Sequence, residues 1–152
     1  MKNLSFELVG ECATWLSIVS QLYTTRMNKH LERHGLTLAQ FSILHHIARP
    51  EFEGGSRISD IANAVEVGQP AVTKTIAKFE NLGLVELVDE AQDKRAKCVK
   101  ALPKAQFVVG EIRQMMGPDL FAAFSAIDDE NIEIFVKSIK QLGQWLDRHR
   151  LG

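Results

Sequence analysis

Hydrophobic residues recur at helical spacing through the N-terminal part of the chain. Further apolar residues widen this pattern beyond one face, and the main stripe consists of Val9, Cys12, Leu16, Val19, Tyr23 and Met27. The spacing predicts a long helix over residues 6–33 that ends near Gly35. A helix that is apolar on more than one face needs more than one packing partner.

The polar residues that follow predict where the second helix starts and stops. Thr37 and Gln40 have the T-x-x-Q spacing of a capping box, in which each residue bonds the backbone N–H of the other. The helix is expected to end before Pro50, because the residue preceding a proline disfavours helical geometry. The stretch EFEGGS, residues 51–56, predicts a loop.

The next segment combines two short helices with a strand hairpin. Ser59 is expected to cap the first helix, residues 66–69 form a tight turn, and Pro70 suits the start of the second helix. Gly83 is expected to end that helix. Two strands are predicted around the polar stretch DEAQDKR, at residues 84–88 and 96–102. This order of elements predicts a winged helix-turn-helix.

The C-terminal part of the chain is again helical in pattern. Pro103 suits the first turn of one helix, Gly117-Pro118 is expected to kink or break it, and Asp128 can cap the last helix. That last helix carries an apolar stripe of Phe135, Ile139, Leu142 and Leu146. Both terminal regions are too apolar to stand alone, so they either share one core or build a dimer.

The composition excludes few classes of function. The distribution of charge along the chain is more informative about the function. The chain has 152 residues, a formal net charge of -1 and 45% hydrophobic residues, which is typical of a globular domain. Net charge therefore gives no argument for nucleic acid. Between residues 94 and 104, however, the chain has five cations and no acid: Lys94, Arg95, Lys97, Lys100 and Lys104.

Several other classes of protein are not supported. The two cysteines, Cys12 and Cys98, fit neither a disulfide framework nor a zinc knuckle. We find no Gly-rich phosphate loop, H-E-x-x-H or G-x-S-x-G motif, so an enzyme is not expected. The chain lacks an apolar run of the roughly 18 residues that a membrane helix needs, and no signal peptide is apparent. We therefore expect a soluble cytoplasmic protein without a membrane partner.

The order and spacing of these elements resemble the MarR family of transcriptional regulators. The segment ISDIANAVEVGQPAVTKTIAKFENLGLVELV resembles the paired helices and following strand of the family, and DKRAK resembles its D-x-R wing tip. The resemblance covers nearly the whole chain. It implies a mainly α fold with a small β-wing, in one domain over residues 1–152. Residues 1–35 and 103–152 would be dimerisation helices around a DNA-binding lobe at 36–102.

This chain departs from the family pattern at four places. Glu66 stands at a turn position often held by glycine, and Gly68 replaces the usual Ser or Thr cap. Leu102-Pro103 replaces the Thr that commonly starts the helix after the wing. Gly117-Pro118 is not typical of that helix. None of these changes removes the DNA-reading surface that the resemblance implies.

The second helix of a helix-turn-helix presents its N-terminal residues to base edges in the major groove. At these positions the chain has Gln69, Pro70, Ala71, Thr73 and Lys74, and Lys78 one turn later is expected to meet a phosphate. In family terms Arg95 is the minor-groove residue of the wing and Asp93 orients it, with Lys94 and Lys97 beside them. A solvated helix face and a solvated basic turn are the alternatives, and a winged helix used only for protein contacts is the competing function.

The resemblance also implies a homodimeric repressor that a small aromatic or phenolic ligand releases from a pseudo-palindromic operator. Residues of suitable chemistry for that ligand, which are as easily core or surface residues, are Trp15, Phe41, His45, Arg49 and Met115. No cofactor is expected. His30 and His34 have i, i+4 spacing but no further ligand spaced with them, so no metal site is expected either.

Oxidation of a thiol is the alternative signal. One branch of the family senses peroxides through a cysteine early in the first helix, and Cys12 lies near that place. It falls about one residue away from the usual position, a rotation of roughly 100° around a helix. We therefore expect Cys12 to be a buried, inert small apolar residue, and a sensing thiol is the alternative.

Overall fold

The computed structural model describes residues 3–90, 92–93 and 96–152, and within them it contains six α-helices and three short strands. In chain order these elements are α1 (Phe6–Leu31), α2 (Leu38–Ile47), β1 (Ser56–Arg57), α3 (Ile58–Val65), α4 (Gln69–Asn81), β2 (Val85–Asp89), β3 (Lys97–Ala101), α5 (Pro103–Phe124) and α6 (Asp129–Arg148). The mainly α fold with a winged helix-turn-helix is confirmed.

The long first helix has nearly the bounds that its pattern predicts. The Ser5 side chain accepts a hydrogen bond from the backbone N–H of Leu8 at 3.1 Å, which satisfies one of the free donors at the helix start. After α1 a 3₁₀ turn continues to His34, and Gly35 ends it with a φ of +64°. Glycine adopts this left-handed conformation without the steric cost of a Cβ.

The predicted capping box of α2 is present. Thr37 Oγ1 accepts from the N–H of Gln40 at 3.2 Å, and Gln40 Oε1 accepts from the N–H of Thr37 at 3.1 Å. Asn28 Oδ1 also accepts from the N–H of Leu38 at 2.6 Å. The end of α1 and the start of α2 are therefore joined by side-chain bonds as well as by the chain.

The core of the winged lobe lies among α2, α3, α4 and the sheet, with further side chains from the end of α1 and from α5. Its largest fully buried side chains are Phe79, Met27, Leu31, Ile43, Leu44, Ile47, Ile61, Ile76, Ile112, Val72 and Val99. Burial of one large apolar side chain contributes about 1.5–3 kcal/mol, so this cluster is the main source of stability of the lobe.

The sheet has the strand order β1-β3-β2, and both pairings are antiparallel. Ser56 pairs with Val99, so the prediction of a loop over residues 51–56 is wrong at its last residue. Just before β1, Gly55 has a φ of +105°, and a Cβ at this position would lie 3.0 Å from the Cβ of Cys98. Glycine therefore permits the chain to pass close to β3.

Three local predictions need correction. Ser59 does not cap α3, because the helix starts at Ile58 and the N-cap residue is Arg57, which makes no side-chain capping bond. Asp128 does occupy the N-cap position of α6, but its side chain makes no capping bond. Pro118 lies inside α5, which continues past it to Phe124 instead of breaking there.

The chain divides into two compact units, Met1–Met115 and Met116–Gly152. The boundary falls next to Gly117-Pro118, where α5 lacks one backbone donor. The first unit contains the winged lobe and α1, whose residues 6–26 are all exposed. The second contains the last turns of α5 and the whole of α6, which has no buried residue. Among the described residues, no helix has the length and apolarity of a membrane span.

Candidate nucleic-acid interface

Helix α4 is held by one face and exposed on the other. Its buried residues are Val72, Thr75, Ile76 and Phe79, at the 3–4 residue spacing of a single helical stripe. Gly68 occupies the N-cap position without a side-chain bond, and Pro70 lies in the first turn, where its missing N–H costs nothing. The apolar stripe therefore determines which side of α4 faces solvent.

The five predicted base-reading residues share the exposed side. Gln69, Pro70, Ala71, Thr73 and Lys74 are all exposed, and all lie in the first two turns of the helix. Together they present an amide, methyl groups, a hydroxyl and an ammonium group, which can pair with adenine, thymine and guanine edges. Within the described part of the chain Lys74 has no hydrogen bond or ion pair, so its ammonium group is available.

Lys78, one turn further along α4, has partners within the protein. Its Nζ donates to the carbonyl oxygen of Gly35 at 2.5 Å and to Gln40 Oε1 at 3.2 Å. The same Gln40 oxygen accepts from Thr37 in the capping box. The prediction that Lys78 meets a phosphate is untested. In the structure its ammonium group is hydrogen-bonded at the junction between α1 and α2.

The wing is a short hairpin between β2 and β3. The N–H of Glu90 donates to the carbonyl of Ala96 at 3.2 Å, and the N–H of Ala96 donates to the carbonyl of Asp93 at 3.0 Å. Asp93 is exposed. The predicted wing contacts Lys94 and Arg95 lie outside the described residues.

Two other cations of the basic segment bond within the protein. Lys97 forms an ion pair with Asp89, its direct partner across the two strands. Lys104 donates to the carbonyl oxygen of Leu82 at 2.8 Å, at the C-terminal end of α4, where a cation also suits the helix dipole. Sequence reasoning took these lysines as one basic cluster and missed their partners.

An ion pair joins the base of the wing to β1. Arg57 Nη2 lies 2.5 Å from Glu90 Oε1, and this hydrogen bond, with the charge of the same carboxylate, raises the pKa of Arg57. The two residues of this pair are 33 positions apart in the sequence, so no local sequence pattern predicts the pair.

Comparison with known proteins agrees with this geometry. Residues 34–96, which contain the helix-turn-helix and most of the wing, match the MarR family. This part of the chain is similar to the MarR family. The match excludes α1 before residue 34 and everything after the wing tip, so it rests on the DNA-binding lobe that the sequence pattern singled out.

Several solved structures have the same fold as this chain. The transcriptional regulator BldR from Sulfolobus solfataricus is similar with a TM-score of 0.76 at 21% identity, over 95% of this chain and 99% of that one. MepR of S. aureus in complex with DNA gives 0.75 at 19%, over 88% and 96%. CouR from Rhodococcus jostii RHA1 bound to p-coumaroyl-CoA gives 0.75 at 20%, over 91% and 95%.

Some of the predicted ligand residues of this chain cluster around two histidines. The rings of Phe41 and His45 lie 5.9 Å apart, and His46 stacks on Phe52 at 4.3 Å. The guanidinium of Arg49 lies 5.3 Å from the centre of the Phe52 ring. It also pairs with Glu51 at 2.8 Å.

Both histidines have lowered pKa values. Burial lowers the pKa of His45 most, and the charges of Arg113 and then Arg49 lower it further. For His46, burial again lowers the pKa first, followed by the charges of Arg49 and His45, while Glu51 raises it. Arg113, on α5, was missed by sequence reasoning because it lies far along the chain. Burial and the neighbouring cations therefore favour the neutral form of both imidazoles.

The remaining candidates lie elsewhere in the chain. Trp15 is 57% exposed on α1, and Met115 is partly buried on α5. Cys12 is exposed and Cys98 is buried in β3, so the expectation that Cys12 is buried is wrong for this single chain. Across residues 3–90, 92–93 and 96–152 no group of three or more His, Cys, Asp or Glu side chains could hold a metal ion.

Proposed function

We propose that this protein is a homodimeric, sequence-specific DNA-binding transcriptional regulator in which α4 enters the major groove. The observation that carries the proposal is the face of Gln69, Pro70, Ala71, Thr73 and Lys74, exposed on a helix whose other side is locked into the core. A rigid helix with a polar reading face is what direct readout requires. The DNA complex of the structurally similar MepR supports this use of the fold.

The wing supplies the second proposed contact, in the minor groove or on its phosphates. Its candidate residues are Asp93, Lys94, Arg95 and Lys97, of which Arg95 is the proposed groove residue. Lys97 also bonds to Asp89, so its charge is partly neutralised before DNA arrives. Lys78 is left out of the proposed contacts because its ammonium group has protein partners.

A second copy of the chain is the proposed cover for the apolar surfaces of α1 and α6. On α1, Val9, Trp15 and Leu22 are 50%, 57% and 65% exposed. On α6 the exposed set is Ile134, Val136, Ile139, Leu142, Trp145 and Leu146. Apolar surface of this extent on a soluble protein marks an interface. Residues 1–35 and 103–152 would then be dimerisation helices, and two copies of α4 would read half-sites about one helical turn apart.

The proposed signal is a small aromatic anion that stabilises a state unable to bind DNA, so that a repressor leaves its operator. Arg113, together with Arg49, whose charge is partly neutralised by Glu51, supplies positive charge near His45. Phe41 supplies aromatic surface beside the same histidine. CouR, bound to p-coumaroyl-CoA, shows an aromatic acid derivative on a similar fold. We expect Arg113→Gln to abolish release of DNA by benzoate-type acids, and Arg33→Gln, an exposed control, to leave it unchanged.

The deciding experiment is selection of bound duplexes from a random pool at physiological salt, with Arg95→Ala in parallel. We expect wild type to enrich an inverted repeat and Arg95→Ala to bind it more weakly, with the slope of log affinity against log salt reduced by about one per subunit. A wild type that enriches no sequence, purified free of small molecules, would contradict the proposed function.

Thiol oxidation at Cys12, which is exposed in the single chain, is the second candidate signal, and it requires the proposed dimer to leave this thiol accessible. The test uses the selected duplex: peroxide should release wild type but not Cys12→Ser. Equal release of both proteins, or of neither, would rule out Cys12 as the sensor.

A further inference from the structure

We propose that Lys78 is a positioning residue, which fixes the reading helix α4 to the junction of α1 and α2 and makes no contact with DNA phosphate. This inference rests on the proposed function, since it concerns how α4 is presented to DNA. Its basis is the pair of hydrogen bonds from Lys78 Nζ to the Gly35 carbonyl and to Gln40 Oε1.

The acceptors of Lys78 are features that the chain builds for other reasons. Gly35 ends the 3₁₀ turn after α1 in the left-handed conformation, and its carbonyl belongs to a helix end, where a cation is favourable. Gln40 is held by the capping box of α2. Asn28 bonds to the start of the same helix. Lys78 therefore meets an acceptor pair that is already ordered, which lowers the entropy lost when its long side chain is fixed.

The position of Lys78 along α4 explains why this contact matters. Pro70 and Lys74 lie in the first two turns, on the exposed side, whereas Lys78 is partly buried. Core residues fix how deeply α4 sits, but an apolar stripe tolerates rotation better than a directed hydrogen bond does. The apolar stripe fixes which side of α4 faces solvent, and the bonds from Lys78 restrict the remaining rotation of the helix about its axis. This rotation decides which side chains meet base edges.

A second lysine also holds α4 in place by a hydrogen bond, at the C-terminal end of the helix. Lys104 of α5 donates to the carbonyl of Leu82 at the end of α4. The helix is thus bonded by one lysine to the element before the helix-turn-helix and by another to the element after the wing. Lys74, which has no protein partner among the described residues, is the natural contrast.

The test compares Lys78→Met with Lys74→Met, using the duplex selected by wild type and a scrambled duplex of the same length. We expect Lys78→Met to keep the salt slope of wild type and to reduce the ratio of specific to scrambled affinity by roughly threefold to tenfold, because charge-assisted bonds at a partly exposed position are individually modest. Lys78→Arg, which keeps a donor, should recover part of this ratio. A salt slope reduced by about one per subunit in Lys78→Met would overturn the inference.

A measurement on the free protein keeps this result separate from the proposed function. A double-mutant cycle of Lys78→Met and Gln40→Met, followed by urea unfolding, should show coupling between the two sites, because their contact exists without DNA. Additive effects of the two substitutions would overturn the contact itself. A wild type that binds no DNA contradicts the proposed function, while the cycle still decides the contact.

Discussion

Glu66 is a single residue whose backbone the fold constrains against its preference. It ends α3 with a φ of +56°, and among the described residues it is the only non-glycine in the left-handed region. Glycine is the usual residue at such helix ends because it lacks a Cβ. The chain therefore accepts local strain at the turn between the two helices of the DNA-binding motif.

Replacing Glu66 should reveal this strain when glycine and alanine are compared. Both variants lose the side-chain interactions of Glu66, but only the glycine variant relieves the backbone. We therefore expect Glu66→Gly to be more stable than Glu66→Ala by about 1 kcal/mol in urea unfolding. Equal stability of the two variants would show that the left-handed conformation carries no cost here.

His45 gives the protein a pH-dependent stability. Its pKa in the folded state is lowered below the ordinary value of 6.5, mainly by burial and then by Arg113 and Arg49. The unfolded chain then binds more protons in the window between the lowered pKa and 6.5. Stability should accordingly rise with pH through this window and be lost as the pH falls below about 6.5.

The variant Arg113→Gln tests the direction of this pH dependence of stability. Removal of the cation brings the pKa of His45 closer to its ordinary value, so the variant should lose less stability than wild type between about pH 7 and pH 5. The measurement is the free energy of unfolding at a series of pH values. Arg33→Gln is the matched control and should follow wild type, and a steeper loss in Arg113→Gln would reverse the assigned cause.

At the scale of elements, the sequence predicts those helices and strands that have a periodic apolar pattern or a glycine or proline at their ends. Helix α4 was predictable because its apolar stripe runs between Gly68-Pro70 and Gly83. Strand β1 was not, because two residues have no period. The bonds of Lys78 and Lys104 were missed for a different reason. They span 43 and 22 residues, so they exist only after tertiary packing brings the elements together.

The close approach of β1 to β3 can be tested at Gly55. A methyl group there would lie 3.0 Å from the Cβ of Cys98 on a backbone with a φ of +105°. We expect Gly55→Ala to destabilise the lobe by about 1–3 kcal/mol, measured by urea unfolding. Gly54→Ala is the control, because a Cβ at Gly54 meets nothing within 4 Å. Similar losses in both variants would assign the effect to loop flexibility instead.

At the scale of the whole molecule, the apolar faces of α1 and α6 are the feature that one chain does not explain. The sequence left two interpretations, a shared core or a dimer. In the structure α6 has no buried residue, and residues 6–26 of α1 are all exposed. These faces support the proposed dimer, although the sequence pattern alone could not separate an intramolecular partner from a second copy.

Ile139→Glu should disrupt the proposed dimer. The substitution places a charge in the middle of the α6 stripe, and burial of an unpaired carboxylate is costly enough to raise the dimer dissociation constant by roughly 100-fold or more. Lys137→Glu, about half a turn away on the same helix, is the control. Sedimentation velocity should find a lower mass only for Ile139→Glu, and a monomeric wild type would contradict the dimer.

The positions of the two exposed tryptophans determine which structural changes the intrinsic fluorescence of this protein can report. The chain has two tryptophans, Trp15 and Trp145, which are 57% and 55% exposed on α1 and α6. Trp145 further stacks on His149, with ring centres 4.3 Å apart. The winged lobe between residues 36 and 102 contains none. Intrinsic fluorescence should therefore report the covering of the terminal helices more directly than the packing of the winged lobe.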